Sequence, residues 1–433
     1  MIWIELLIVL LFIFIGARMG GIGIGFAGGA GVIVLTMIFG LDAGSIPVDV
    51  ILIIMSVIAA IAAMQNAGGL DYMVHLSERV LRKNPKRVTF FAPAVAYIMT
   101  LLSGTGHTVY AALPVITEVS KENNVRPSNP LSISVVASQI AITASPISAA
   151  VVIFAEYLEP FGVSYLQLLA VAIPTTFLAV MGGAFVTNLM SKPLDQDPNY
   201  LEREAKGLVK HLGEKEHEDP KKAKYSVWIF LVAILIVVAY ATMTSENIGL
   251  ITNPPISRND AIIAIMLLTA MVITLVCKIN LGQVTSMSTF KSGMSACICV
   301  LGVAWLGDTF VSNHIEEIKA AAGGMLVDYS WLLAVVLFFA SMLLYSQAAT
   351  TVALMPAALS LGVSPEAAIA SFAAVSALFV LPTYPTLIAA VEMDDTGTTR
   401  IGKYVFNHSF LIPGVVTITL SVLFGFLIGG IIL

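Results

Sequence analysis

Charge is what this chain lacks. Only 11% of its 433 residues are Asp, Glu, Lys or Arg, against 58% that are hydrophobic. A soluble protein of this length needs more surface charge to stay dispersed, so the balance implies a membrane protein. Cysteine is also scarce. Cys277, Cys297 and Cys299 lie in or beside apolar runs, without histidines at metal-ligand spacing, and read as small lipid-buried side chains. No metal or cofactor is expected. The first 17 residues resemble a signal peptide but have no basic n-region, and Arg18 follows the apolar run. That order suits a retained first helix whose N-terminus is outside.

What is present is a series of apolar runs. A crossing takes roughly 17–25 residues. Runs of that kind stand at about 2–17, 20–41, 48–67, 129–155 and 164–190, and again at about 226–243, 258–277, 292–310, 364–391 and 409–432. Between the two sets lies a charged stretch, 191–225, which reads as a solvated linker with short helical character. The expected domains are therefore 1–190, 191–225 and 226–433.

Further pieces recur in the same order in both halves. The amphipathic stretch LDYMVHLSERVLRKNP follows the third run, with Tyr72, Leu76 and Val80 on one helix face, and HIEEIKAAAGGMLVDY follows the eighth. Each is followed by two short apolar arms around a break: hairpin 88–122, broken at SGTG, and hairpin 331–361, broken at Ser346 and Gln347. GHTVYAALP aligns with AATTVALMP, and Pro114 with Pro356. An interrupted helix comes next: 129–155, broken at TASP, and 364–391, broken at LPTYPT. Ser145-Pro146 has the form of an N-cap and a first-turn proline, as does Tyr384-Pro385. Backbone groups freed at such breaks cannot be satisfied by lipid and must face protein or a cavity.

Each half thus has five crossings, and an odd number inverts the second half relative to the first. Of the 22 Lys and Arg, all but Arg258 and Lys319 then fall on one side. Basic loops stay cytoplasmic, so the linker 191–225 is inside and both termini are periplasmic. Full crossing by the hairpin arms would add two crossings to each half and leave the sidedness unchanged. Re-entrant hairpins therefore rest on the Gly-rich tip and the short arms. The expected fold is an all-α polytopic membrane protein with two inverted repeats, a pattern that points to a transporter.

Gly23-Ile-Gly25-Phe-Ala-Gly28 fits G-x-G-x-x-G, but no strand precedes it. Gly21, Gly25 and Gly29 read instead as small residues that let helices approach. The tip Ser103, Gly104, Thr105, Gly106, His107, Thr108 permits a sharp turn and opens a helix whose N-terminus can hold an anion. His107 is its only titratable group: it binds substrate, carries a proton or hydrogen-bonds locally. The second tip offers Ser346, Gln347, Thr350 and Thr351, with interhelical hydrogen bonding a nearly equal reading for Thr351. Thr143, Ser145 and Pro146 mark the first broken helix, and Thr383, Tyr384 and Thr386 the second; these are expected to face a cavity. No Lys or Arg lies in any of the four breaks, so a dianion there must be held by dipoles, hydroxyls and N–H groups, or by accompanying cations. Asp308, Asp394 and Asp395 read as solvated. The Asn407-His-Ser409 glycosylation pattern sits on the inner face and is discounted.

The stretches GARMGGIGIGFAGG, LLSGTGHTVYAALPV, ASQIAITASPISAAVV, SACICVLGVAWLGDTFVSN, LYSQAATTVALMPAAL and LPTYPTLIAAVEMDDTGTTRIGKYVFNHSF span nearly the whole chain. In them the sequence resembles the bacterial anaerobic four-carbon dicarboxylate (Dcu) transporters, closer to the branch exchanging aspartate, fumarate and succinate than to its sister branch. The resemblance implies exchange of fumarate, malate or aspartate for succinate in the inner membrane during anaerobic respiration. It also implies a homodimer with a static scaffold and a mobile domain. Other readings remain: a carrier of the same architecture for another organic anion, coupled to sodium or protons, or an added role as membrane partner of a dicarboxylate sensor kinase. An enzyme is not expected, since no Ser/His/Asp set or metal cluster appears near the midplane, and no nucleic-acid partner is expected.

Overall fold

The computed structural model describes residues 2–19, 22–46, 48–209, 221–244, 250–251, 253–344, 346–381, 384–402 and 407–433. Thr383 lies outside the described residues, as do Gly21, Lys210, Lys215 and Lys403. The described chain is helical throughout, without a strand. The first half contains α1 (Ile2–Met19), α2 (Gly23–Ile33), α3 (Val48–Asn66), α4 (Gly69–Lys83), α5 (Val88–Ser103), α6 (Val109–Glu122), α7 (Ser128–Ile140), α8 (Ala149–Leu158) and α9 (Tyr165–Leu189). After the short α10 (Pro198–Ala205) come α11 (Lys221–Met243), α12 (Arg258–Cys277), α13 (Leu281–Val284), α14 (Ser288–Asp328), α15 (Leu332–Leu344), α16 (Gln347–Ser360), α17 (Pro365–Ser371), α18 (Pro385–Met393) and α19 (Leu411–Ile432). Among the described residues, six helical stretches are long and apolar enough to cross a membrane, and up to seven if the bent pair α3–α4 counts as one. With shorter apolar helices such as Ile2–Gly16 and Gly25–Ile38 beside them, this is a multi-pass membrane protein.

Helices end and restart between Ser103 and Val109, between Ile140 and Ala149, and before Gln347 and Pro385. Gly68, at φ +85°, turns the chain by 69° from α3 into amphipathic α4. The corresponding eighth run continues into its amphipathic stretch as the single helix α14, marked only by non-helical φ/ψ at His314. Pro93, Pro114, Pro174 and Pro356 sit inside helices; neighbouring helices tolerate such residues in an apolar bundle.

Small residues set the helix contacts. Gly25 lies against the Ile298 carbonyl and Gly28 against the Gly302 backbone, so close that a Cβ at either would overlap the α14 backbone. Gly31 opposite Leu306 continues the series, so α2 and this part of α14 run parallel. The packing reading of these glycines holds, but its register shifts: Gly28 makes the contact, whereas a Cβ at Gly29 would meet open space. Helix α3 instead runs antiparallel to α14. Gln65 accepts from Thr289 N at 3.2 Å, Ile58 meets Gly293, and Ile54 clusters with Cys297 and Val300. Helix α9 packs along α19, where Gly183 lies against Thr417.

Ion pairs gather at the two ends. At one end Arg82 binds Glu78 and Glu122 (2.9 and 2.7 Å), Lys121 binds Glu118 and Asp395 (2.5 and 3.0 Å), and Arg126 binds Asp197 (2.8 Å). At the other end Arg258 binds Glu159 at 3.2 Å and His314 contacts Glu5 at 2.7 Å. Three acids expected to be solvated are instead engaged. Asp394 is buried and accepts from Thr396, from Thr398 Oγ1 (2.9 Å) and from Thr399 N (2.6 Å). Asp395 pairs with Lys121, and Asp308 accepts from Ser45 N at 2.5 Å. The start of the 191–225 segment is docked as well: Asn124 and Arg126 bind Asp195 and Asp197, and Arg203 Nε donates to Asp395 O at 2.8 Å.

Candidate functional site

The site is built from four places where a helix ends and another begins. At the first tip, Gly104 adopts φ +69° after α5, a left-handed turn that glycine makes without strain. Thr105 is extended and its hydroxyl accepts from His107 N at 3.4 Å. Ser103 Oγ and Thr108 Oγ1 both donate to Thr105 O, at 3.2 and 3.1 Å, and close the turn. The His107 ring stacks on Tyr110, parallel to within 2° with centroids 5.7 Å apart.

At the first broken helix, α7 tightens into a 3-10 turn, Ala141–Ala144, before α8 starts at Ala149. The expected cap is displaced. Ser148, not Ser145, caps α8 by accepting from Val151 N at 3.2 Å, and Pro146 lies in the connecting turn. Ser145 Oγ donates instead to Leu101 O of α5 at 2.7 Å, and Tyr165 OH donates to Pro146 O. Thr143 is fully buried and bonds its own helix at Ile140 O (2.7 Å). Thr143 and Ser145 thus secure the break against protein, as freed backbone in an apolar setting requires.

At the second tip, Ser346 is extended and accepts from Ala349 N at 3.1 Å, capping α16. Thr350 and Thr351 donate back to Ser346 O and Gln347 O, both at 2.7 Å, four residues back along the chain rather than to another helix. At the second broken helix, α17 passes into a 3-10 segment, Phe372–Phe379, and α18 opens with Pro385 in its first turn. Tyr384 holds the extended N-cap position as expected, but its side chain makes no cap bond.

One residue joins these pieces. Gln139, near the end of α7, is buried. Its Nε2 donates to Thr386 Oγ1 at 3.1 Å, and its Oε1 accepts from Gln347 Nε2 at 3.1 Å. Its backbone carbonyl accepts from Gln347 Nε2 and from Ser376 Oγ, both at 3.2 Å. The first tip abuts the same residue, since a Cβ at Gly106 would lie 3.2 Å from Gln139 Nε2 and 3.1 Å from Ser138 O. Gly106, Gln347 and Thr386 are therefore brought to one point. Thr105, His107 and Thr108 form the adjacent turn, while Thr143, Ser145 and Thr350 bond elsewhere.

Sequence reasoning missed Gln139, Ser376 and Ser341, whose hydroxyl donates to Ala374 O at 3.0 Å and accepts from Ala377 N at 3.2 Å. A glutamine inside an apolar run was the available signal, because a buried amide must find partners. The four following segments, α6, α8, α16 and α18, all begin at these breaks and present N-terminal N–H groups there. Helix N-termini favour anions. The named hydrogen-bonding groups are neutral, so the arrangement can solvate a carboxylate without a fixed counter-charge.

The full chain, residues 1–433, matches the family model described as anaerobic C4-dicarboxylate membrane transporter. It is 64% identical to the C4-dicarboxylate transporter DcuA of Wolinella succinogenes, over 99% of each chain, and 58% identical to DcuA of Escherichia coli K12, over 100% of each. Identity to the anaerobic C4-dicarboxylate transporter DcuB of Escherichia coli O6:H1 is 39%, over 98% of this chain and 97% of that one. Among solved structures, the fold is similar to the YdaH transporter of Alcanivorax borkumensis, with a TM-score of 0.56 at 14% identity, covering 99% of this chain and 96% of that one. An all-helical apolar bundle, and end-to-end likeness that is higher to DcuA than to DcuB, lead to one conclusion: the chain belongs to the anaerobic C4-dicarboxylate membrane transporter family, on its DcuA-like side.

Proposed function

We propose that the chain exchanges four-carbon dicarboxylates (fumarate, malate, aspartate and succinate) across the bacterial inner membrane by elevator-like alternating access. The observation that carries this reading is the meeting of Gly106, Gln347, Ser376 and Thr386 on buried Gln139, within an apolar bundle. Substrate carboxylates would be held there by amide, hydroxyl and helix N-terminal N–H groups, with Ser103, Gly104, Thr105 and His107 forming the first tip. Thr383 is retained as a candidate from its place in the second break.

An inverted repeat, 1–190 and 226–433, is part of this proposal. It is supported by the antiparallel course of α3 and its counterpart α14, and by the mutual exchange of contacts α2 with α14 and α12 with α3. Helices α1–α3, α11, α12 and the first part of α14 would form the scaffold, possessed in two copies by a homodimer. The two hairpins and two broken helices would move. The end carrying Arg82, Lys121 and Arg126 would be cytoplasmic and both termini periplasmic.

The test is counterflow. Proteoliposomes loaded with succinate should take up labelled fumarate or aspartate, with sodium and pH varied, and Thr105→Ala and Ser346→Ala should each slow exchange at normal expression. Normal rates in both variants would refute the site. Exchange of citrate or gluconate but not of four-carbon acids would refute the substrate class.

A further inference from the structure

An interrupted helix leaves two unlike ends at its break. The restarting end presents N–H groups and a partial positive charge, whereas the arriving end presents carbonyls and a partial negative one. An anion is drawn to the first and repelled by the second. At both broken helices side-chain donors hold carbonyls: Ser148 Oγ donates to Ile142 O at 2.6 Å, and Ser341 Oγ to Ala374 O at 3.0 Å. Two more carbonyls are held by residues at the start of the next long helix. Pro146 O accepts from Tyr165 OH, and Val380 O, at the C-terminal end of the 3-10 segment, accepts from His408 Nε2 at 3.1 Å. A carbonyl can only accept, so the His408 proton sits on Nε2. The two donors hold corresponding places. Tyr165 opens α9, which follows the first broken helix, and His408 stands just before α19, which follows the second. Both residues are buried, and α9 and α19 pack along one another.

We propose that Tyr165 and His408 are positioning residues that set the charge preference of the site: they mask Pro146 O and Val380 O, so that the breaks turn N–H ends rather than carbonyls toward a dianion. The inference rests on the dicarboxylate-exchange reading given above. Both carbonyls belong to segments that lead away from Gln139. Pro146 follows the 3-10 turn that continues the helix of Gln139, and Val380 lies four residues past Ser376, which donates to Gln139 O. A carbonyl released from its donor adds a negative dipole end beside the cargo. Fumarate is a dianion and meets that dipole with repulsion only. Aspartate carries a single net negative charge and an ammonium whose N–H groups a free carbonyl can accept. Loss of either donor therefore disfavours fumarate relative to aspartate, whereas a merely structural defect weakens both together.

The test uses the full chain in succinate-loaded proteoliposomes and reads the half-saturation concentrations for labelled fumarate and labelled aspartate. Tyr165→Phe removes one donor and keeps the ring under Arg258, whose guanidinium carbon lies 6.0 Å from the ring centroid. His408→Phe removes the other. Each should raise the ratio of the fumarate value to the aspartate value roughly threefold or more. His408→Gln, whose amide nitrogen can stand where Nε2 stands, should return the ratio to that of wild type. Should His408→Phe fail to fold, Tyr165→Phe decides by the same ratio. A ratio left at the wild-type value by the donor-less variants, or raised as much by His408→Gln as by His408→Phe, would overturn the inference while exchange itself stands. A wild-type chain that moves no four-carbon acid would overturn the exchange reading, and this inference with it.

Discussion

Gln139 bonds residues that lie 208 and 247 positions further along the chain, Gln347 and Thr386. Its removal would orphan both partners inside the bundle. Leaving buried polar groups unpaired costs about 1–3 kcal/mol. Gln139→Ala is therefore expected to lower the melting temperature in detergent and to slow fumarate counterflow more than Thr143→Ala, whose hydroxyl serves only its own helix. At Gly106 the constraint is space. Gly106→Ala would push a methyl against Ser138 O and Gln139 Nε2, so exchange should fall while the protein still reaches the membrane, as a labelled-substrate assay beside an immunoblot would show. Most of the site was legible in sequence where glycine, serine or proline breaks a helix. Gln139 was not, because its partners are distant in the chain and it lies in an apolar run just before the residues that break the helix. The shift of the cap from Ser145 to Ser148 was hidden for a related reason: Ser145 is drawn away by Leu101 O, a partner outside its own turn.

Among the elements, the close pair α2–α14 depends on backbones that touch. A branched side chain at Gly28 must force them apart, and overpacking of this kind costs about 1–3 kcal/mol. Gly28→Val should reduce folded protein recovered from membranes, as size-exclusion chromatography would register, whereas Gly29→Val should not. At the charged end α6 is tied to the segment after α18 by Lys121, whose buried side chain joins Glu118 of its own helix to Asp395. Lys121→Met would leave two carboxylates facing one another, and loss of one partner from a buried pair costs about 3–5 kcal/mol. A large fall in melting temperature is expected, partly recovered by Asp395→Asn in the same chain. Apolar length foretold an all-helical chain with several helices able to cross a membrane, but not the continuity of α14. The docking of residues 193–203 was not foretold, since a charged stretch has the same composition whether it is solvated or paired across the fold.

For the whole molecule, the sorting of basic residues predicts sidedness that labelling can check. A single cysteine at Asn199 should react with an impermeant thiol reagent only in inside-out vesicles, and one at Glu159 only in right-side-out vesicles. The background is a chain without Cys277, Cys297 and Cys299. Reaction of both from the same side would refute the inverted arrangement. The neutrality of the four breaks has an electrical consequence. With no Lys, Arg, Asp or Glu at the four breaks, no charged side chain of the site accompanies the substrate across the field, so the cargo determines the current. Moving a dianion against 100 mV costs about 4.6 kcal/mol, at about 2.3 kcal/mol per charge, and a returning dianion restores the same amount. Fumarate traded for succinate should be silent on a solid-supported membrane electrode, and fumarate traded for singly charged aspartate should produce a transient.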